Sequence, residues 1–376
     1  MNRFKWIYLA LVFSFVRSLS LEAAWTTKRL TNNAGESYFA AIAVDGSHIY
    51  VVWCDNTPGN WEIYFRKSVD EGATWQASKR LTYTAGDSMH PDIAVAGADV
   101  YLVWYDNTPG NPEIFFRKSV DNGSTWQTAK RLTNTAGNSY GPAIAIYDAS
   151  IYVTWYDEIP GNGEIYFRKS TDSGANWQSP EQLTNNSGLS SWPDIAAKGA
   201  NIYVVWHDDT FENNEIYFMK SANSGSTWQT AKRLTYNTGN SIMPTLAVGG
   251  ASIYVAWYDS TPGNNEIYSR KSADSGSTWQ TAKRLTNNTG NSGNPALTVS
   301  GANIFVIWHD GTPGNSEIFF RKSVDSGASW QSPQRLTNNT GTSWWPAIAV
   351  NSANIYVTWG DSTPGNDEIF VKYSPF

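Results

Sequence analysis

The chain is poor in the residues that most often announce chemistry. Of its 376 residues one is cysteine and four are histidine. A lone cysteine excludes an intrachain disulfide in any compartment. Cys54 has no acid or base beside it except Asp55, which recurs throughout the chain, so it is not read as a nucleophile. There is no block of Lys or Arg and the formal net charge is −6, which excludes nucleic acid as a partner class. No stretch sustains a helical period, which excludes a helical domain. No run stays apolar for the ~20 residues that a membrane span needs.

One mostly apolar run, Trp6 to Val16, follows Arg3 and Lys5 and precedes Ser18-Leu19-Ser20 and Ala23-Ala24. That layout is expected for a secretory signal peptide over residues 1–24, cut somewhere between Ser20 and Ala24. An uncleaved anchor is the alternative. Export would leave residues 25–376 secreted, periplasmic or at the cell surface, with no stable membrane insertion once the leader is gone.

What the chain has is aromatic residues, with 19 Trp and 20 Tyr, and repetition. A Trp-x-Asp signature recurs seven times at a step of 51, from Trp53/Asp55 to Trp359/Asp361, without insertion or deletion. A period of this size marks a repeat architecture in which no unit buries its apolar face alone. Within one unit, Pro91–Val95, Val100–Trp104, Glu113–Lys118 and Trp126–Leu132 read as strands A to D. They are separated by turn residues such as Asn107-Thr108-Pro109-Gly110-Asn111. Four short antiparallel strands, repeated seven times, predict an all-β, seven-bladed β-propeller over residues 25–376. Strand A is rich in alanine (Ala40, Ala41, Ala43), as the crowded axis requires. The last unit stops before its D strand, while Trp25–Thr31 reads as a D strand preceding the first A strand. The N-terminal strand should therefore complete the seventh blade and remove the exposed edges.

The C–D turns read SVDEGATW at 68–75, SVDNGSTW at 119–126, STDSGANW at 170–177, SANSGSTW at 221–228, SADSGSTW at 272–279 and SVDSGASW at 323–330. This motif resembles the Asp-box (BNR repeat) of sialidase-like β-propellers. Asn223 replaces the box aspartate in the fourth copy and Asn176 the Ser/Thr in the third. The resemblance implies that Asp70, Asp121, Asp172, Asn223, Asp274 and Asp325 are blade-folding elements on the face opposite a functional site. It also implies a test for sialidase activity. Such enzymes clamp the substrate carboxylate with an arginine triad, the first member of which lies in an Arg-Ile-Pro stretch, and use a Tyr nucleophile with a Glu partner and an Asp acid/base. No Arg-Ile-Pro stretch occurs, and none of the predicted A strands holds Arg or Lys.

The D–A and B–C loops should share the face opposite the Asp-boxes. Each B–C loop brings one Asp and one Glu, from Asp55/Glu62 to Asp361/Glu368. A face with seven such pairs is a poor receptor for an anionic sugar. Seven equivalent pairs also offer no contrast between a raised and an ordinary carboxyl pKa, which glycoside hydrolysis by two carboxyls needs. The Asp residues are expected to cap the B–C turn and the Glu residues to pair with strand-C arginines (Arg66, Arg117, Arg168, Arg270, Arg321). Calcium in these loops is a minority reading, and no metal or cofactor is expected.

The seven copies differ most at a pair of positions between the repeated Ser and strand A. The pairs are Tyr38-Phe39, Met89-His90, Tyr140-Gly141, Ser191-Trp192, Ile242-Met243, Gly293-Asn294 and Trp344-Trp345. Beside them lie Tyr105, His207, Tyr258, His309 and the loop-tip Trp61. Aromatic faces beside Asn, Asp and Glu suit a neutral sugar. The candidate ligand-binding set is thus Tyr38, Phe39, Trp61, His90, Tyr105, Tyr140, Trp192, His207, Tyr258, His309, Trp344 and Trp345, with no catalytic residue assigned. The expected function is a secreted, non-catalytic propeller that binds a glycan or other extracellular ligand, such as an extracellular protein, on the loop face. The alternatives are a sialidase-like exo-glycosidase or other propeller glycoside hydrolase, and a structural or protein-interaction scaffold.

Overall fold

The computed structural model describes residues 24–159 and 161–376, so the leader expected over residues 1–24 lies almost wholly outside the described residues. All regular structure among them is β: seven four-stranded antiparallel sheets, each ordered A-B-C-D. Among the described residues no helix is long and apolar enough to cross a membrane. The ring closes as the repeat requires. Thr26–Arg29 pairs with Glu368–Pro375, in register from Thr26↔Tyr373 to Arg29↔Phe370, and completes the sheet of Ser343–Val350 and Asn354–Asp361.

The core lies between blades. Each B strand alternates its side chains, so one row meets the preceding blade and the next row the following one. Trp104, for instance, joins a cluster with Val52, Ile63 and Phe65 of the blade before it. Six of the seven B-strand tryptophans are exposed by no more than 1%, and truncating one to alanine costs about 3–5 kcal/mol.

Strand A is longer than its apolar run. It begins at the repeated serine (Ser88–Ala96), and the variable pair lies inside it, at a break in register between Met89 and Asp92. All seven A strands carry this bulge. The fourth ends in exposed Lys198, so the A strands are not wholly free of cations. Strand D is shorter than expected, with ladder pairing over four residues in the seventh blade and over two in the others, such as Lys130–Arg131. Further out, the Arg117 guanidinium takes the Gln127 carbonyl at 2.7 Å.

The Asp-boxes are closed turns. Ser68 Oγ donates to Asp70 Oδ1 (2.7 Å) and accepts Gly72 N–H (2.9 Å); Thr74 donates its N–H (2.8 Å) and hydroxyl (2.6 Å) to the same carboxylate. These bonds pull Asp70 down to about 2. The two departures keep the pattern: Asn176 donates from Nδ2 to Asp172 (2.7 Å), and Asn223 accepts Thr227 N–H (2.9 Å). Gly123 has φ of +72° and the Phe65 ring of the preceding blade stands over it, so no side chain fits there. The boxes also join blades: Lys67 Nζ donates to Asn122 O at 2.6 Å. Trp25 takes the place of the seventh box tryptophan, edge-on to Phe320 at 5.6 Å, as Trp126 is to Phe65 at 5.2 Å.

Candidate functional site at the channel mouth

The bulge decides what faces the axis. Its second residue has a left-handed backbone in every copy, with φ near +50° at Phe39, His90, Trp192, Met243, Asn294 and Trp345 and +57° at Gly141. Such a conformation is uncommon for bulky residues and marks local strain. It turns the first residue of each pair between blades and the second into the channel mouth. There the second residues line a cavity of about 300 Å³, floored by repeated prolines such as Pro91 and Pro193.

Four of the candidate residues therefore meet in one bowl: Phe39, His90, Trp192 and Trp345. Their rings form an arc. Phe39 stacks on His90 at 3.8 Å and meets Trp345 at 4.9 Å; His90 meets Trp192 at 5.1 Å across the gap left by Gly141. Burial lowers His90 to about 4, so its ring is neutral and serves as an aromatic face.

The other eight form a layer between blades. Tyr38 packs on Trp61 at 5.3 Å and Trp344 at 6.1 Å, and its hydroxyl donates to Asp367 Oδ2 at 2.7 Å. Burial, then that hydrogen bond, raises its pKa. Tyr105 is edge-on to Tyr140 at 5.1 Å and donates to Met89 Sδ at 3.4 Å. His207 is 7% exposed, with Ser191 Oγ at 3.0 Å from Nε2. Tyr258 pairs in register with Ile242, and His309 with Gly293, again between strands. Burial lowers both His207 and His309 to about 4. These residues shape the bowl from behind and do not line it.

Among the lining residues outside the candidate set are two carboxylates. Asp92 and Asp194 occupy the position after the repeated proline, where four of the other blades have alanine and the fifth has Thr245. Asp92 accepts Ile93 N–H (2.9 Å) and, across the blade boundary, Ile144 N–H (2.8 Å). Asp194 accepts Ile195 N–H (2.8 Å), Leu246 N–H (2.7 Å) and the Thr245 hydroxyl (3.1 Å). The channel leaves each some solvent contact, yet the surrounding protein raises Asp92 to about 7 and Asp194 to about 6. Desolvation is the main cause, and Asp194 adds repulsion at Asp92. Variation at a position otherwise held by alanine was the available signal.

The B–C carboxylates require a correction. They are not displayed on the loop face. Asp55 is 1% and Glu62 0% exposed. Asp55 caps its turn as expected, accepting Thr57 N–H at 2.9 Å, and also the Ser37 hydroxyl at 2.8 Å. Glu62 pairs with Arg80 of strand D (2.7 Å), not with Arg66 of strand C. The same D-strand pairing joins Glu113 to Arg131, Glu215 to Arg233, Glu266 to Arg284, Glu317 to Arg335 and Glu368 to Arg29. Arg66 lies four residues from Glu62 on one strand, about 13 Å away. It spans blades instead, donating to Leu30 O and Gln76 O. The carboxylates thus accept from N–H and hydroxyl donors of the chain itself. The third blade breaks the pattern: Gln182 replaces the arginine, so Glu164 has only N–H partners such as Asn186 N (2.9 Å).

Bonded Asp-box turns at one end of a seven-bladed ring and an open mouth at the other define a sialidase-like β-propeller. The chain belongs to the BNR repeat-like domain family, whose profile matches residues 110–357. Among solved structures, it is similar to the GH93 α-L-arabinofuranosidase of Fusarium graminearum, solved with arabinobiose, with a TM-score of 0.55, 16% identity and 77% of this chain covering 93% of that one. It is similar to the α-L-arabinanase of Penicillium chrysogenum (TM-score 0.51, 17% identity, 77% of this chain and 93% of that one). It is also similar to the Trypanosoma rangeli sialidase (TM-score 0.56, 11% identity), covering 94% of this chain but 60% of that one. At these identities the likeness is one of fold. No curated protein sequence matches the chain.

Proposed function

We propose that the protein is an exported carbohydrate-binding propeller that takes a neutral glycan end into the bowl at the channel mouth. One observation carries this reading. Of the paired positions where the seven copies diverge most, a strained backbone turns the second of every pair into a single cavity. Drift would scatter differences over the surface, whereas here Phe39, His90, Trp192 and Trp345 form a continuous aromatic arc beside Asn294. Sugar C–H faces stack on such rings, and hydroxyls bond to fixed polar groups. The arabinobiose complexes of two structural relatives accord with a glycan ligand. A glycan array followed by titration tests it. Trp192→Ala and Trp345→Ala should each weaken binding about tenfold, the loss of one stacking contact. Trp344→Ala, behind the bowl, should weaken it less. An array without ligands, or binding indifferent to Trp192, would sink the reading.

A second reading is favoured by Asp92 and Asp194. Two carboxyls raised by burial open into the same bowl, and a carboxyl that stays protonated near neutral pH is what the acid in glycoside hydrolysis needs and the B–C pairs do not supply. Hydrolysis of nitrophenyl α-L-arabinofuranoside or another neutral glycoside, lost in Asp92→Asn and Asp194→Asn, would establish it over binding alone.

A further inference from the structure

Three of the cavities away from the axis lie in clefts between neighbouring blades and repeat one design. They measure about 620 Å³ between the seventh and first blades, about 730 Å³ between the fifth and sixth, and about 270 Å³ between the sixth and seventh. The first two are of the size that holds a saccharide. In the larger, one wall is Leu285–Asn288 of strand D, and the other includes Thr312, Phe319 and Arg321 of the next blade. In its counterpart, Leu30–Asn33 faces Thr57, Tyr64 and Arg66.

Arg66 and Arg321 are unlike the strand-D arginines. Neither has a carboxylate partner among the described residues. Arg321 donates from Nε to Gln331 O at 2.6 Å and from Nη1 to Leu285 O; Arg66 does the same to Gln76 O at 2.6 Å and Leu30 O. Backbone carbonyls hold each guanidinium in place without neutralising it, and Nη2 has no partner among the described residues. Beside each stands a half-buried ring, Phe319 or Tyr64, backed by its own tryptophan at 6.0 and 5.9 Å. A fixed cationic fork next to a backed aromatic face matches a sugar that carries a carboxylate: the guanidinium takes the carboxylate and the ring takes the C–H face.

We propose that the Arg66 and Arg321 clefts are binding sites for a uronic-acid residue of an acidic glycan, separate from the bowl at the channel mouth. The chain itself contains the changes that would disable such a site. In the fourth blade Met219 stands where Arg66 and Arg321 stand. In two other clefts Tyr83 and Tyr236 replace Asn32 and Asn287, and these tyrosines lie against Arg80 (4.4 Å) and Arg233 (4.6 Å).

The test uses trigalacturonate as probe, with galactotriose and acetate as controls, read by native mass spectrometry and calorimetry at low salt. The wild type should take at least two equivalents of trigalacturonate and at least tenfold less of either control. Arg66→Met and Arg321→Met should each remove one equivalent, and Asn287→Tyr should also remove one. Phe319→Ala should weaken its cleft about tenfold, and Met219→Arg should add an equivalent. Trp192→Ala should leave uronate binding unchanged, which separates this proposal from that for the bowl. Unchanged stoichiometry in the Arg66→Met/Arg321→Met double variant would overturn the assignment. So would equal affinity for galactotriose or acetate, or loss of uronate binding in Trp192→Ala. If the arginine variants do not fold, Asn287→Tyr and Met219→Arg decide the matter, since Tyr and Arg already occupy those positions elsewhere in the ring.

Discussion

On the Asp-box face, side chains that recur have recurring partners: Ser68, Ser119, Ser170, Ser272 and Ser323 each donate to the aspartate two residues on. At the channel mouth, the seven equivalent positions hold Phe, His, Gly, Trp, Met, Asn and Trp, and no side-chain hydrogen bond recurs among them. Both regions come from one repeat, so ancestry does not separate them. Backbone geometry does. The box turns each side chain onto its own loop and onto the preceding blade, where any change is felt twice. The bulge turns its second residue away from the blade, into space bounded by other members of the same set. Uniformity thus reports bonding, and divergence reports release from it.

This contrast is tested most severely by comparing two tryptophans. Trp206→Ala, which empties a 1%-exposed core position, should cost about 3–5 kcal/mol in chemical denaturation. Trp192→Gly, which copies Gly141 at a site with φ of +51°, should leave stability unchanged or higher. Equal losses would erase the distinction.

Next in size is a pH effect from the mouth. The folded ring raises Asp92 to about 7 and Asp194 to about 6 from 3.8, so it binds protons that the unfolded chain releases. Their stabilising contribution is present below about pH 4 and is lost as pH rises through 6 and 7, with a slope of at most about 1.4 kcal/mol per pH unit for each group. Asp92→Ala with Asp194→Ala, copying the other blades, should flatten the stability profile between pH 4 and 8. The box aspartates act in the opposite sense. Asp274 is held at about 2, so its contribution is present above pH 4 and is lost as pH falls toward 2.

A smaller gain is expected from restoring uniformity. Ser269 interrupts the row Phe65, Phe116, Phe167, Phe218 and Phe320, and a small pocket opens there against Tyr254, Ile304 and Trp330. Ser269→Phe should raise stability by about 1 kcal/mol in the same assay. The smallest change is expected from Asp274→Ala, whose carboxylate is fully exposed. A slightly lower melting temperature and a weaker acid limb should mark it.

The architecture was legible because a 51-residue period with strong turn residues leaves little choice of strand number, and because Trp25–Thr31 matches the missing outer strand. The bulge was not legible: bulky residues such as Phe39, Trp192 and Trp345 give no sign of a left-handed backbone, which only the ring imposes. Glu62 could be paired with either of two arginines at fixed spacing. The strand period, which puts Arg66 four residues along the same strand, argued against the one expected. Asp92 and Asp194 were visible as letters but not as neighbours, since the strands that bring them to one channel are about 100 residues apart.

The seam of this circle falls inside a C–D turn. A box runs over eight positions, as from Ser68 to Trp75, and Ser374–Phe376 with Trp25 supply four of them. A four-residue linker from Phe376 to Trp25 would therefore make the loop endless, and a cut between Asp274 and Ser275 would give a permuted chain with the same bowl and the same clefts. Which blade comes first is a matter of where the thread was snipped, and all six remaining turns are equivalent places to snip it.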